Sequence, residues 1–194
     1  MNRAKIIWNG SRSEVSMFIC GDQMCVKKKY VFHDDLKNEK NIYNILHEKG
    51  MRNIPRLIDS GPDYIILSYI EGDILRNVVK NSGFDDICSF FGSGSDRARD
   101  IRDQMITIIN DLHKMGMAHG NIKQSQFIVD KNNALYIFDF AQSALKGAPF
   151  YELFAKYDND VLESYLTGKK ARRPSKSDFY SAKIKKWLKV VLKK

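Results

Sequence analysis

The stretch from His119 to Ala141 constrains the fold more than any other part of this 194-residue chain. Two short β-like runs, Phe127–Val129 and Leu135–Phe138, flank the polar turn Asp130-Lys-Asn-Asn133 and predict a hairpin. Side chains with useful chemistry stand at both ends of it: His119, Asn121, Lys123 and Gln126 before, Asp139 after. A helix leads into this segment. Ile101, Met105, Ile108, Ile109 and Leu112 recur at helical spacing over Arg97–Met115, and Gly116 ends the run.

The N-terminal third reads differently. Lys5–Trp8, Val15–Cys20 and Met24–Val26 predict three antiparallel strands, with turns at Asn9-Gly10 and Gly21-Asp22. Asp34 or Asp35 caps a helix running to about Lys49, with Leu36, Ile42, Ile45 and Leu46 on its apolar side. Pro55–Ile58 and Tyr64–Tyr69 predict two more strands. Asp73–Lys80 suits a short helix, Ser82–Ser95 an irregular connection and Tyr151–Leu166 another helix. A basic linker, Lys169–Ser177, precedes an amphipathic helix from Asp178, with Ile184, Trp187, Leu188 and Val191 on one side. Strands followed by helices give an α+β class with segregated elements.

His119-Gly-Asn-Ile-Lys-Gln-Ser-Gln126, the hairpin and Asp139-Phe-Ala141 together resemble the catalytic and metal-binding loops of protein kinases. Gly10-Ser-Arg-Ser-Glu-Val15 resembles the short Gly-x-x-x-x-Val loop of RIO kinases and of the kinase subunit of the KEOPS tRNA-modification complex. The resemblance implies a two-lobed kinase-like fold. Residues 1–72 form the strand-rich lobe and hinge, 73–166 a reduced helical lobe, and 167–194 a basic tail. It also implies ATP and Mg²⁺ as ligands. Gly10 and Val15 would face the phosphates, Lys27 would bind them, and Glu39 would pair with Lys27. Leu67 would back the adenine pocket, with the main chain of Ser68 and Ile70 beside the base. Asp139 and Gln126 would hold metal, and Asn121 and Lys123 would stand at the reacting phosphate. Three departures matter: Asn121 replaces the family's catalytic aspartate, Gln126 its metal-binding asparagine, and Ala141 its glycine.

Charge adds a second theme. The chain carries +9, yet Thr167–Lys194 alone holds eleven Lys or Arg and one acid, Asp178. A neutral body with a basic tail suggests an anionic partner: RNA, tRNA by the KEOPS likeness, or an anionic membrane surface. The three cysteines lack metal-ligand spacing. With no apolar run long enough for a signal peptide or a membrane span, they read as reduced thiols of a cytosolic or nuclear protein. Three functions remain in view: a nucleotide-binding pseudokinase acting in a complex, an active atypical phosphotransferase, and an RNA-associated module.

Overall fold

The computed structural model describes residues 5–175 and 177–179. Five antiparallel strands, β1 (Lys5–Asn9), β2 (Ser13–Cys20), β3 (Gln23–Tyr30), β4 (Leu57–Ser60) and β5 (Tyr64–Ser68), form one sheet in the order β1-β2-β3-β5-β4. Helix α1 (His33–Glu48) lies across it. Leu36, Ile42, Tyr43 and Leu46 share one core with Tyr30, Ile65 and Leu67 of the sheet. Their spacing places them on one face of the helix, and burying each of the three aliphatic side chains contributes about 1.5–3 kcal/mol.

The second half is mainly helical. Strand β6 (Gly72–Ile74) runs into α2 (Leu75–Asn81), so the helix expected from Asp73 starts two residues later. The reason is that Asp73 and Ile74 pair in a ladder with Val129 and Ile128. The connection expected over Ser82–Ser95 contains a helix, α3 (Ile87–Gly92). Asp86 caps it, accepting from the Ser89 amide at 2.9 Å, and Ile87, Phe90 and Phe91 are buried. Helix α4 (Asp96–Lys114) starts at the Ser95 cap and buries the five apolar residues that predicted it. Strands β7 (Met117–Ala118), β8 (Phe127–Asp130), β9 (Leu135–Ile137) and β10 (Ala144–Leu145) follow, then α5 (Tyr151–Thr167). β8 and β9 are the expected hairpin, joined to β6 in a three-stranded sheet. The architecture is α+β and kinase-like.

Phe179 packs edge-on against Phe150 and Phe154, at centroid distances of 5.3 and 5.8 Å, so the chain after α5 returns to that helix's beginning. The expected amphipathic face, Ile184 to Val191, and the lysines from Lys183 to Lys194 lie outside the described residues. Among the described residues no helix is long and apolar enough to cross a membrane, and no cysteine is disulfide-bonded.

Candidate functional site

The lysine, glutamate and aspartate of the expected site do meet, but through a different lysine. Lys28 Nζ lies 2.7 Å from Glu39 Oε2 and 2.6 Å from Asp139 Oδ1, joining β3, α1 and the loop after β9. Lys27, expected in this pair, points to the opposite face of the sheet, where its ammonium sits 4.0 Å from the centre of the Tyr64 ring. Lys29 shares that outer face and meets Asp63 at 3.3 Å. Alternation along a strand is the cause. Val26, Lys28 and Tyr30 share one face, Lys27 and Lys29 the other. The apolar residues two positions to either side of Lys28 were the signal that spacing from the glycine turn overlooked.

Glu39 is fully buried and each of its oxygens is used. Oε2 accepts from Lys28 and from the Tyr30 hydroxyl at 2.7 Å, and Oε1 accepts from the Phe140 amide at 3.1 Å. Burial and the charge of Glu39 push the Tyr30 phenol far up, so it stays a donor. Burial disfavours the Lys28 ammonium, but the charges of Glu39 and Asp139 and the hydrogen bonds to both outweigh it and raise its pKa. Burial also opposes the Asp139 carboxylate. The Lys28 charge and hydrogen bond, with smaller help from His119 and Gln126, hold it below the usual carboxylate range.

The loop that carries Asp139 is held from three sides. Asp139 has φ of 70°, a left-handed conformation that a non-glycine residue keeps only when its surroundings impose it. Phe140 is fully buried between Tyr43 and His119, each ring centre 5.2 Å away. Asn38 Nδ2, one helix position before Glu39, donates to the carbonyls of Ala141 and Ser143, both at 3.0 Å. Sequence reading missed Asn38 and Tyr30, since each looks like an ordinary surface residue until the loop is placed beside it.

Below this lies a second anchor that sequence reading missed. Asp158 of α5 is fully buried and accepts from the backbone amides of His119 (2.7 Å) and Gly120 (2.8 Å), with His113 Nε2 at 3.1 Å. Gly120 has φ of 74°, and a side chain there would strike the Phe154 ring. The loop is thus pinned to α5 before it reaches Asn121. The available signal was a charged residue, Asp158, on the same helical stripe as buried Tyr151 and Val161.

Asn121 and Gln126 are both buried, and Asn121 Oδ1 and Gln126 Oε1 have no hydrogen-bond partner among the described residues. Gln126 Nε2 lies 3.3 Å from Asp139 Oδ2. Lys123 is exposed, with its ammonium unpaired among the described residues. Val15 sits opposite Lys28 across the β2–β3 pair, and buried Leu67 opposite Val26. The Ser68 amide is spent on the Arg56 carbonyl at 2.8 Å, whereas the Ile70 amide has no partner among the described residues. Of the two expected base-facing groups, only Ile70 therefore keeps a free donor. Gly10 forms a turn whose amide donates to the Ser13 carbonyl at 3.0 Å. Arg12 ties that turn to α1 through two hydrogen bonds to Asp35, at 2.9 and 2.7 Å.

The RIO domain family model matches residues 18–179, from the second strand to the last described residue. The chain belongs to the RIO domain family. This RIO domain is also similar, at lower coverage, to a range of protein kinases. It is 28% identical over 149 residues to the dual specificity protein kinase zakA of Dictyostelium discoideum, covering 71% of the chain and 17% of that protein. It is 31% identical over 81 residues to CBL-interacting protein kinase 9 of Oryza sativa subsp. japonica, covering 42% and 16%. The serine/threonine-protein kinase PknB of Mycolicibacterium smegmatis is 29% identical over 82 residues, 42% of the chain and 12% of that protein. The RIO domain spans less than a fifth of the length of each of these relatives.

Proposed function

We propose that this RIO domain binds ATP with one magnesium ion, transfers its phosphate poorly, and works as the regulated partner of another protein. The observation that carries the reading is the meeting of Lys28, Glu39 and Asp139, three residues from three distant elements. In protein kinases the lysine–glutamate ion pair and the metal-holding aspartate must both be in place for ATP to be gripped.

The residues present fit a magnesium ion. Magnesium takes hard oxygen donors and is held by one or two carboxylates together with substrate phosphates. Asp139 supplies a carboxylate that is 36% exposed, and the orphaned oxygens of Gln126 and Asn121 are amide oxygens of the right kind. Bound there, the metal would neutralise charge on the phosphates. Gln126 is one methylene longer than the family's asparagine, which argues against a second metal. Asn121 cannot take a proton from an acceptor hydroxyl as a carboxylate does, and loss of a general base costs about 10²–10⁴ in rate.

ATP with magnesium at 100 times its dissociation constant stabilises a fold by about 2.7 kcal/mol. For a domain of this size that is a rise of about 5–10 °C in Tm. The shift should shrink when magnesium is omitted. No shift at millimolar ATP removes the nucleotide reading, and brisk phosphorylation of a generic acceptor removes the claim of poor transfer.

A second reading rests on the linker. Lys169, Lys170, Arg172 and Arg173 are exposed, and two of them pair at long range with carboxylates among the described residues, Lys169 with Glu163 at 3.4 Å and Arg172 with Asp178 at 3.5 Å. We propose that they contact RNA. Truncating the chain after Leu166 would also remove the Phe179 packing, so replacing the four with Ala is the cleaner test. The variant should lose RNA binding and flatten its salt dependence by about 0.7 per lost phosphate contact on a single strand. Unchanged RNA affinity would make the linker purely structural.

A further inference from the structure

Strand β1 contains an irregularity that decides where its largest side chain points. Ile6 sits opposite Ser16, so a regular register would set Ile7 opposite Val15 and turn Trp8 to the outer face of the sheet. Instead a bulge between Ile6 and Trp8 sets Trp8 opposite Val15. Val15 is opposite Lys28, so Trp8 faces the same side as the lysine that meets Glu39 and Asp139. Bulges re-aim side chains in this way, at the cost of an unpaired residue. At about 4.8 Å per strand, Trp8 stands about 10 Å from Lys28 along that row.

The indole does not hang free. It lies over Gly10, filling the space a side chain there would occupy: a Cβ on Gly10 would fall 2.1 to 2.9 Å from the six-membered ring. Gly10 is therefore small because Trp8 lies on it, and the inner face of the glycine turn is covered by an aromatic ring. The ring itself stays 51% exposed, so it is lightly held. The atoms that meet Gly10 are the far end of a rotatable side chain, free to leave without moving the backbone. Arg12, bound to Asp35, keeps the turn itself in place.

We propose that the Trp8 indole is a removable cap on the phosphate side of the nucleotide cleft, which ATP displaces when it binds. The proposal rests on the nucleotide reading above and adds a residue that sets the affinity. A cap lowers apparent affinity by the fraction of molecules in which it is open. Removing it should therefore tighten binding, whereas removing a side chain that holds the nucleotide should weaken it.

The chain has two tryptophans, Trp8 and Trp187, so a Trp187→Phe background leaves Trp8 as the sole reporter. In that background ATP with magnesium should shift the emission to the red and open the indole to acrylamide quenching. Trp8→Ala should tighten ATP by about three- to tenfold. Gly10→Ala, whose methyl group pushes the ring aside, should do the same with the tryptophan retained. Trp8→Phe, which keeps a smaller ring on the strand, should fall between. Melting without nucleotide checks that each variant folds. Weaker or unchanged ATP binding in Trp8→Ala and Gly10→Ala overturns the cap, as does an unmoved emission while the melting shift reports ATP. If neither the parent nor any variant shows a melting shift with ATP, the nucleotide reading and the cap fall together. Binding by the parent with no difference among the variants removes the cap alone.

Discussion

Replacing Lys28 with Met should lower stability by about 3–5 kcal/mol and abolish measurable ATP binding, while Lys27→Met should do neither. The Glu39 side chain is 1% exposed and lies 2.7 Å from the Lys28 ammonium. Without the ammonium, that carboxylate would be left with only the Tyr30 hydroxyl and the Phe140 amide. A buried charge stripped of its partner costs far more than the intact pair contributes, because the pair has already offset its own desolvation. The double variant Lys28→Met with Glu39→Gln should therefore recover part of the stability and none of the nucleotide binding. Lys27 gives up a contact with the Tyr64 ring, worth about 0.5–1 kcal/mol where exposed. Urea unfolding of the four proteins measures the first claim and a melting titration with ATP the second. Equal effects of Lys27→Met and Lys28→Met would remove Lys28 from the centre of the site.

That reassignment marks the limit of what could be read from the sequence. The five strands of the N-terminal sheet, α1, α4, α5 and the β8–β9 hairpin were legible because each carries its own period or turn chemistry. Glu39 and Asp139 were legible because each sits in a run with a distinctive neighbourhood: Ile42 and Leu46 fix the inner face of α1, and Asp139-Phe140 closes the hairpin. The choice among Lys27, Lys28 and Lys29 was not, since three identical residues differ only in which face of β3 they take. That face follows from the register with β2 and β5, which is a tertiary fact. Short α3 was obscured by the Gly and Ser around it, although the Asp86 cap and its apolar trio were present. The bulge that turns Trp8 inward has no local signature at all. Asn38 and Asp158 illustrate a further difficulty. Each acts on backbone groups 38 or more residues away in sequence, and backbone groups look alike everywhere along a chain.

Asp158→Ala should destabilise the protein by about 2–6 kcal/mol, an effect on the scale of Lys28→Met produced without touching the nucleotide cleft. The carboxylate is fully buried, and its two oxygens take the amides of His119 and Gly120 and face the His113 ring. Removing it leaves two backbone donors without acceptors in the interior, at about 1–3 kcal/mol each. The Phe154 ring packed against Gly120 leaves no room for a side chain there to take over. Asp158→Asn should cost less, since one oxygen still accepts, but its amide hydrogens would confront a donor that now lacks a partner. The two variants should thus form a graded series in urea, with unchanged m-values and with amide exchange at His119 and Gly120 rising in the same order. ATP affinity of the folded Asp158→Asn protein should fall less than that of Lys28→Met, because Lys28, Glu39 and Asp139 keep their contacts. A cost below about 1 kcal/mol for Asp158→Ala would mean that these amides find other acceptors and that α5 does not anchor the loop.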